Sequence, residues 1–250
     1  MRHSLRLAAT LLAALALPAL ASEGQEVREE IKKSLTLAPG AQVRISGING
    51  GVTIETGEGS RAEIDIVVTA SSREALERRP LVVEDTPNSL TIRTVEVREA
   101  PKTRGHVRHE VRLRLPRAIQ LAVSSVNGSL DVGEIAGTVS VSSVNGGVRV
   151  AQAGTATEIT SVNGRVSIAL TALGEQGLRV GSINGGVELR LPTETNAEIE
   201  VRSVNGGIDT DFPMTVTGQI KRGELRGTLG SGGARIAITS VNGGVQLRRL

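Results

Sequence analysis

Aromatic side chains are almost missing from these 250 residues, and cysteine is absent: there is no Trp and no Tyr, and Phe212 is the single Phe. Each absence excludes something. Without cysteine there is no disulfide framework and no thiol for lipid attachment. Without aromatic rings, single-stranded nucleic acids lose the stacking platforms on which they are usually held. Any carbohydrate would have to be bound through polar or ionic groups. A wide globular core also leans on aromatic area, so one built from Val, Ile, Leu and Ala suits a narrow cross-section. An excess of charge of either sign is missing as well. Setting aside Arg2 and Arg6 leaves 27 basic and 26 acidic residues, which does not point to nucleic acid. The pI of 9.9 reflects how few groups titrate between neutral pH and the lysines.

Long apolar runs are missing too, save one at the start. Arg2 and Arg6 precede an apolar stretch from Leu7 to Leu17, followed by Ala19-Leu20-Ala21. This is the pattern of an export signal, residues 1–21, cut after Ala21. The uncharged run to Ala21 is shorter than the ~20 residues a membrane-spanning helix needs. No second such run follows. The reading is therefore an exported protein, periplasmic or on the cell surface, with no transmembrane span once the signal is removed.

What the chain has in abundance is a repeat. Ser-Val-Asn-Gly-Gly or a close variant places asparagines at Asn49, Asn127, Asn145, Asn163, Asn184, Asn205 and Asn242, each followed by glycine. From Asn127 the intervals are 18, 18, 21, 21 and 37, the last close to two periods with one copy eroded. Four residues before the asparagine stand Ile45, Val123, Val141, Ile159, Val180, Val201 and Ile238. Three after it stand Val52, Leu130, Val148, Val166, Val187, Ile208 and Val245. The alternation on either side reads as strand, corner, strand, and Asn-Gly supplies the corner because both residues tolerate positive φ.

A hairpin meander and a β-solenoid both fit such corners. The β-branched column just before the asparagine (Ile48, Val126, Val144, Val162, Ile183, Val204, Val241) is an odd step from position −4. Pointing both columns inward requires a bend between them, which suits coils stacked on coils. The expected fold is an all-β, single-stranded β-solenoid of ~18–21-residue coils, roughly eight to ten in number. The seven asparagines would hydrogen-bond along the stack as a corner ladder about 4.8 Å per rung. The serines two before them would form a second ladder.

These motifs resemble those of the bacterial toast-rack or head-GIN adhesin family: Ile48-Asn49-Gly50 and Ile183-Asn184-Gly185 approximate the Gly-Ile-Asn signature, and Gly181-Ser182-Ile183-Asn184 is close to it. The resemblance spans about 35–250. It implies a right-handed β-helix on the cell envelope and supplies no catalytic residues.

Between Asn49 and Asn127 the motif is absent, and 57–118 reads as an irregular excursion or cap ahead of the regular coils of 119–250. Arg61 to Ala70 alternates like a strand. Ser71 to Arg78 reads as one short helix with Ser71 and Glu74 as a capping box. Thr86-Pro87-Asn88-Ser89 signals a hairpin. Arg98 to Arg117 carries seven basic residues against two acidic. On a strand from Arg108 to Leu115, His109 would face inward and Arg108, Glu110, Arg112 and Arg114 outward as a cationic comb. With Lys102 and Arg104 these arginines are the candidate contacts for an anionic partner: an acidic envelope glycan, lipid headgroups or another envelope protein. The competing reading is a solvated, edge-protecting face.

Many β-helices act on polysaccharides, so an enzyme is the alternative function. Its least poor candidates are Glu188 and Asp209, which the column four after the asparagine puts on neighbouring coils. Asp131 and Arg149 in that column form a surface ion pair. His106 and His109 lack partners for a metal set, and nothing in the sequence calls for a cofactor. The sequence thus describes a single exported domain, 22–250, acting as a non-enzymatic adhesin-like binding or structural module of the envelope.

Overall fold

Val, Ile and Leu alternate with polar residues through nearly every segment. The computed structural model describes residues 26–97, 105–153, 157–216 and 223–250, and over these the alternation becomes 20 strands and one short helix. The segment 1–21, expected to be an export signal, lies outside the described residues, as do Lys102 and Arg104. Among the described residues no helix is long and apolar enough to cross a membrane.

The regular coils come first. Strand β7 (Ile119–Asn127) turns at its Asn-Gly corner into β8 (Leu130–Ile135), and β9 (Val139–Asn145) turns into β10 (Val148–Ala153). The same step joins β11 (Thr157–Asn163) to β12 (Val166–Ala169), and β13 (Leu178–Asn184) to β14 (Val187–Leu191). Successive coils pair in parallel with asparagine opposite asparagine: Asn127 to Asn145, Asn145 to Asn163, Asn163 to Asn184. Parallel register rules out the hairpin meander. The strands before the corner form one sheet, those after it a second, and their inward residues make one core.

Sequence order fails at both ends of the stack. The coil of β19 (Arg235–Asn242) and β20 (Val245–Arg249) is last in the chain. It is nevertheless inserted between β13/β14 and the coil of β15 (Ala197–Asn205) and β16 (Ile208–Thr210). The interval of 37 is therefore not an eroded coil. It holds β17 (Thr215–Val216) and β18 (Glu224–Leu229), which cover β15 antiparallel. At the other end, β2 (Ala41–Gly57) forms a whole coil by itself, and β7/β8 pairs with one side of it. Its other side is taken by β5 (Ser89–Thr94) in the first sheet and β6 (Val107–Pro116) in the second. The excursion of 57–118 thus contributes a further coil. Antiparallel β4 (Leu81–Thr86) then covers β5, while β3 (Arg61–Ala70) and β1 (Val27–Thr36) cover β6. Eight coils result among the described residues, in the order β5/β6, β2, β7/β8, β9/β10, β11/β12, β13/β14, β19/β20, β15/β16.

The helix α1 (Arg73–Arg78) is capped by Ser72, whose hydroxyl accepts from the Ala75 amide, rather than by Ser71. Ser71 instead accepts from the His106 amide. The core is the expected aliphatic file, with Ile45, Val123, Val141, Ile159, Val180, Val201 and Ile238 all buried.

Candidate functional site

Two surfaces stand out: the corner that the repeat builds and the face that carries the basic strand.

At the corner the structure corrects the column assignment. Alternation runs unbroken to the asparagine, so the serine two before it points inward and the β-branched residue one before it points out. Ser125, Ser143, Ser161, Ser182, Ser203 and Ser240 are buried, whereas Val126, Val144, Ile183 and Val204 are exposed. The serines do not ladder. Ser143, Ser182 and Ser240 each donate to the carbonyl of the glycine three residues on, which makes an inward hydroxyl tolerable. Ile48 alone in that column is buried, because a register shift around Gly47, at φ 69°, turns it into the core.

The asparagine side chains form one unidirectional chain of hydrogen bonds. Asn127 donates to Asn49 at 2.7 Å, Asn145 to Asn127 at 2.9 Å, and Asn163 to Asn145 at 2.8 Å. Asn184 then donates to Asn163 at 2.9 Å, Asn242 to Asn184 at 2.8 Å, and Asn205 to Asn242 at 2.9 Å. The order Asn184, Asn242, Asn205 repeats the inserted coil. At its far end Asn49 donates to the Val107 carbonyl at 2.6 Å.

The basic strand β6 lies with Arg108, Arg112 and Arg114 exposed and His109 buried. Its neighbours are not basic. In register, Arg112 sits between Thr53 and Asp65, and Arg114 between Glu55 and Glu63. Glu110 on the same strand pairs with Arg112. Lys32 of β1 lies beyond Asp65, and Arg61 is 3.1 Å from Glu63. Together they line an open groove of about 610 Å³ holding Lys32, Arg61, Arg112, Arg114 and the three carboxylates Glu55, Glu63 and Asp65. The comb is therefore half of a checkerboard. Cross-strand neighbours bring in acidic groups that chain order alone keeps apart.

His109 does no surface work. Its Nδ1 accepts from the Asn49 amide at 3.1 Å, and its buried Nε2 has no partner among the described residues. Burial alone pushes its pKa down to about 4, so it stays neutral at physiological pH.

The carboxylates proposed for catalysis are apart. Glu188 pairs in register with Gln246, and Gln246 with Asp209, so a glutamine coil separates them. Each is tied to arginine: Glu188 to Arg190 at 2.7 Å, Asp209 to Arg248 at 2.6 Å. Asp131 and Arg149 do pair, at 2.7 Å. Glu200, which accepts a hydrogen bond from Arg235 and faces Arg202 and Arg226, is held below the usual carboxylate range. Among the described residues, no three His, Cys, Asp or Glu stand together in a metal-binding group.

Comparison with known proteins follows the repeat. Residues 133–248 match the family described as Toastrack DUF4097. No curated protein matches the chain. A solved structure of a proposed cell adhesion protein from Clostridium sporogenes superposes with a TM-score of 0.48 at 10% identity, covering 89% of this chain and 100% of that one. A proposed adhesin from Bacteroides fragilis gives 0.34 at 9% identity over 88% and 97% of the two chains. A proposed lipid-binding protein from Parabacteroides distasonis gives 0.30 at 10% over 88% and 96%. The family match takes in the corner-bearing coils from β9 onward, with their laddered asparagines, and over residues 133–248 this chain is similar to the Toastrack family.

Proposed function

We propose that this protein is a non-enzymatic, adhesin-like binding module of the bacterial envelope, exported by the segment 1–21. Its contact face for acidic envelope components is the groove on the outer face of β1, β3, β6 and β2. The observation that carries this reading is the gathering of Lys32, Arg61, Arg112 and Arg114, from three strands, around one open groove. All four project from β-sheet, which holds them at fixed spacing, so a polymer or headgroup array bearing phosphates or carboxylates meets a preformed pattern. The interleaved Glu55, Glu63 and Asp65 temper the attraction. Binding should accordingly be selective for spaced anionic groups and strongly salt-dependent.

The test is adsorption of purified protein to vesicles containing anionic phospholipid and, separately, to an acidic polysaccharide, each across a salt series. The pair Arg112→Glu and Arg114→Glu should abolish the salt-sensitive part on whichever surface binds. Arg149→Glu, on a distant coil, should leave it intact. Adsorption unchanged by the Arg112/Arg114 pair rejects the groove as the contact face.

A further inference from the structure

Seven Asn-Gly pairs stand at equivalent corners, each preceded by Val or Ile. An Asn-Gly pair is open to a reaction of its own. The glycine amide nitrogen, stripped of its proton, attacks the asparagine Cγ and closes a five-membered imide, and the side-chain nitrogen leaves as ammonia. Water then opens the imide at either carbonyl, giving aspartate or isoaspartate, so one water is consumed for each ammonia released. Glycine favours the ring because it has no Cβ to obstruct it, and the same lability depletes asparagine in heat-stable proteins. With the local sequence alike at all seven pairs, only the fold can tell them apart.

Six of the pairs are shielded. The Gly128 N–H donates to the Asn145 carbonyl at 2.8 Å, Gly146 to Asn163 at 2.8 Å, and Gly164 to Asn184 at 2.9 Å. Gly185 donates to Asn242 at 3.0 Å and Gly243 to Asn205 at 3.2 Å. Asn49-Gly50 lies inside the continuous strand β2, paired on both sides. A glycine nitrogen whose hydrogen is held by the next coil cannot turn on its own side chain until that coil opens. All six glycines are buried or half-buried. The asparagine before each both donates and accepts, in the ladder or at its Val107 end.

The seventh pair, Asn205-Gly206, lacks each protection. It stands on the last coil, where no further coil offers a carbonyl, and the Gly206 N–H has no acceptor among the described residues. The cover strand β18 follows β15 only to the pairing of Arg202 with Glu224, short of the corner. Asn205 donates to Asn242 and receives no ladder bond in return. Gly206 is exposed, and it does not share the positive φ of 117–159° found at the other six first glycines. An open hollow of about 890 Å³, lined by Val204, Asn205, Gly206, Ile208 and Glu224 among others, brings water to the pair.

We infer that Asn205-Gly206 is a self-modification site, at which the folded protein converts its last ladder asparagine to aspartate or isoaspartate with water as the only co-reactant. Neither product keeps the rung. An ionised carboxylate has no hydrogen to give the Asn242 Oδ1 and sets oxygen against oxygen instead. Isoaspartate also adds a methylene to the backbone, so residue 205 and Ile208 no longer both match Asn242 and Val245. Strand β16 is three residues long, and β20 is its one strand neighbour among the described residues. It is therefore the element that the reaction releases. The stack thus carries a clock that starts at folding and opens its C-terminal end alone, whatever the groove on β6 binds.

Peptide mass mapping of the folded protein aged in mild alkali tests the site, with ammonia release and enzymatic methylation of isoaspartate as second readouts. Conversion at Asn205 should run at least about tenfold faster than at any of the other six, whose reaction waits on a local opening. In denaturant the seven rates should converge. Asn205→Gln, whose longer side chain closes the ring poorly, should keep β16 in place through the same ageing. Asn205→Asp should expose residues 205–216 to protease without ageing. Conversion in the folded chain no faster at Asn205 than at Asn145 or Asn163 would overturn the site, and so would a preference for Asn205 that survives denaturation. Protein converted at Asn205 whose β16 amides resist hydrogen exchange as well as fresh protein would overturn the release of β16.

Discussion

The two ends of this stack differ in sequence order and are built alike. At the N-terminal end β2 is held between β5/β6 and β7/β8, and at the C-terminal end β19/β20 is held between β13/β14 and β15/β16. Each end then covers sheet edges with antiparallel strands, β4, β3 and β1 at one, β18 and β17 at the other. Solenoid ends need such covers because an unpaired edge templates further pairing. The difference lies in the corner. The C-terminal end keeps the Asn-Gly ladder to Asn205, while the N-terminal end closes it with the Val107 carbonyl and a buried His109. A coil therefore needs the right columns to join the stack, and chain order does not decide its neighbours.

The sharpest way to break this comparison is to delete residues 235–250. In a stack that followed chain order this would trim a terminal coil and leave the rest intact. Here it removes an inner coil with Ile236, Ile238, Val245 and Leu247, all buried. At ~1.5–3 kcal/mol for each buried aliphatic side chain the loss is roughly 6–12 kcal/mol, as large as the stability of many domains. The truncated chain should lose protease resistance from β13 to the end. A native digestion pattern would refute the inserted topology.

The N-terminal end can be tested alone through His109. Its folded-state pKa, lowered by burial to about 4, lies below the 6.5 of an exposed imidazole. The unfolded chain therefore takes up the proton first as pH falls. Stability contributed by the neutral ring is complete above pH 6.5 and is lost between there and about 4, by on the order of 3 kcal/mol. Thermal melts from pH 7.5 to 4 should show this decline, and His109→Leu should flatten it above pH 4.5. A wild-type curve that is flat between pH 6.5 and 4.5 would mean the imidazole is not held neutral by burial.

The smallest effect separates the two corner glycines. Gly146→Ala, at φ 146° against the Gly128 carbonyl, should destabilise by about 2–3 kcal/mol in chemical denaturation. Gly147→Ala, one residue on, should be neutral or stabilising by up to about 1 kcal/mol. Equal costs at both positions would place the second glycine under the same backbone demand as the first.

Much of the architecture could be read from columns. The positions four before and three after the asparagine face the core, the hairpin falls at 86–89, and β3 begins at Arg61 and ends at Ala70 as its alternation predicts. The outward turn of Val126 and its equivalents, with serine inside, runs against the usual preference of valine for the core. Burying Ser143 costs little when the Gly146 carbonyl accepts its hydroxyl, and that acceptor exists only once the corner has formed. The candidate sites were less legible, because each depends on which strands lie side by side. Arg112 and Arg114 face outward as their alternation indicates. Their acidic neighbours Asp65, Glu63 and Glu55 come from strands placed beside β6 by the end arrangement. Glu188 and Asp209 were put together by column and separated by an inserted glutamine.

The sequence by itself determined the repeating unit: a missing set of aromatic rings, β-branched columns and Asn-Gly corners leave little but narrow coils stacked in register. Those are local requirements of φ, alternation and side-chain volume, and they recur every 18 to 21 residues in the regular coils. Only the tertiary structure decided the order of the coils, the outward turn of the valine column and the company kept by each charged residue. These depend on contacts between strands distant in the chain, where several pairings satisfy the same columns and the one that also covers both ends prevails.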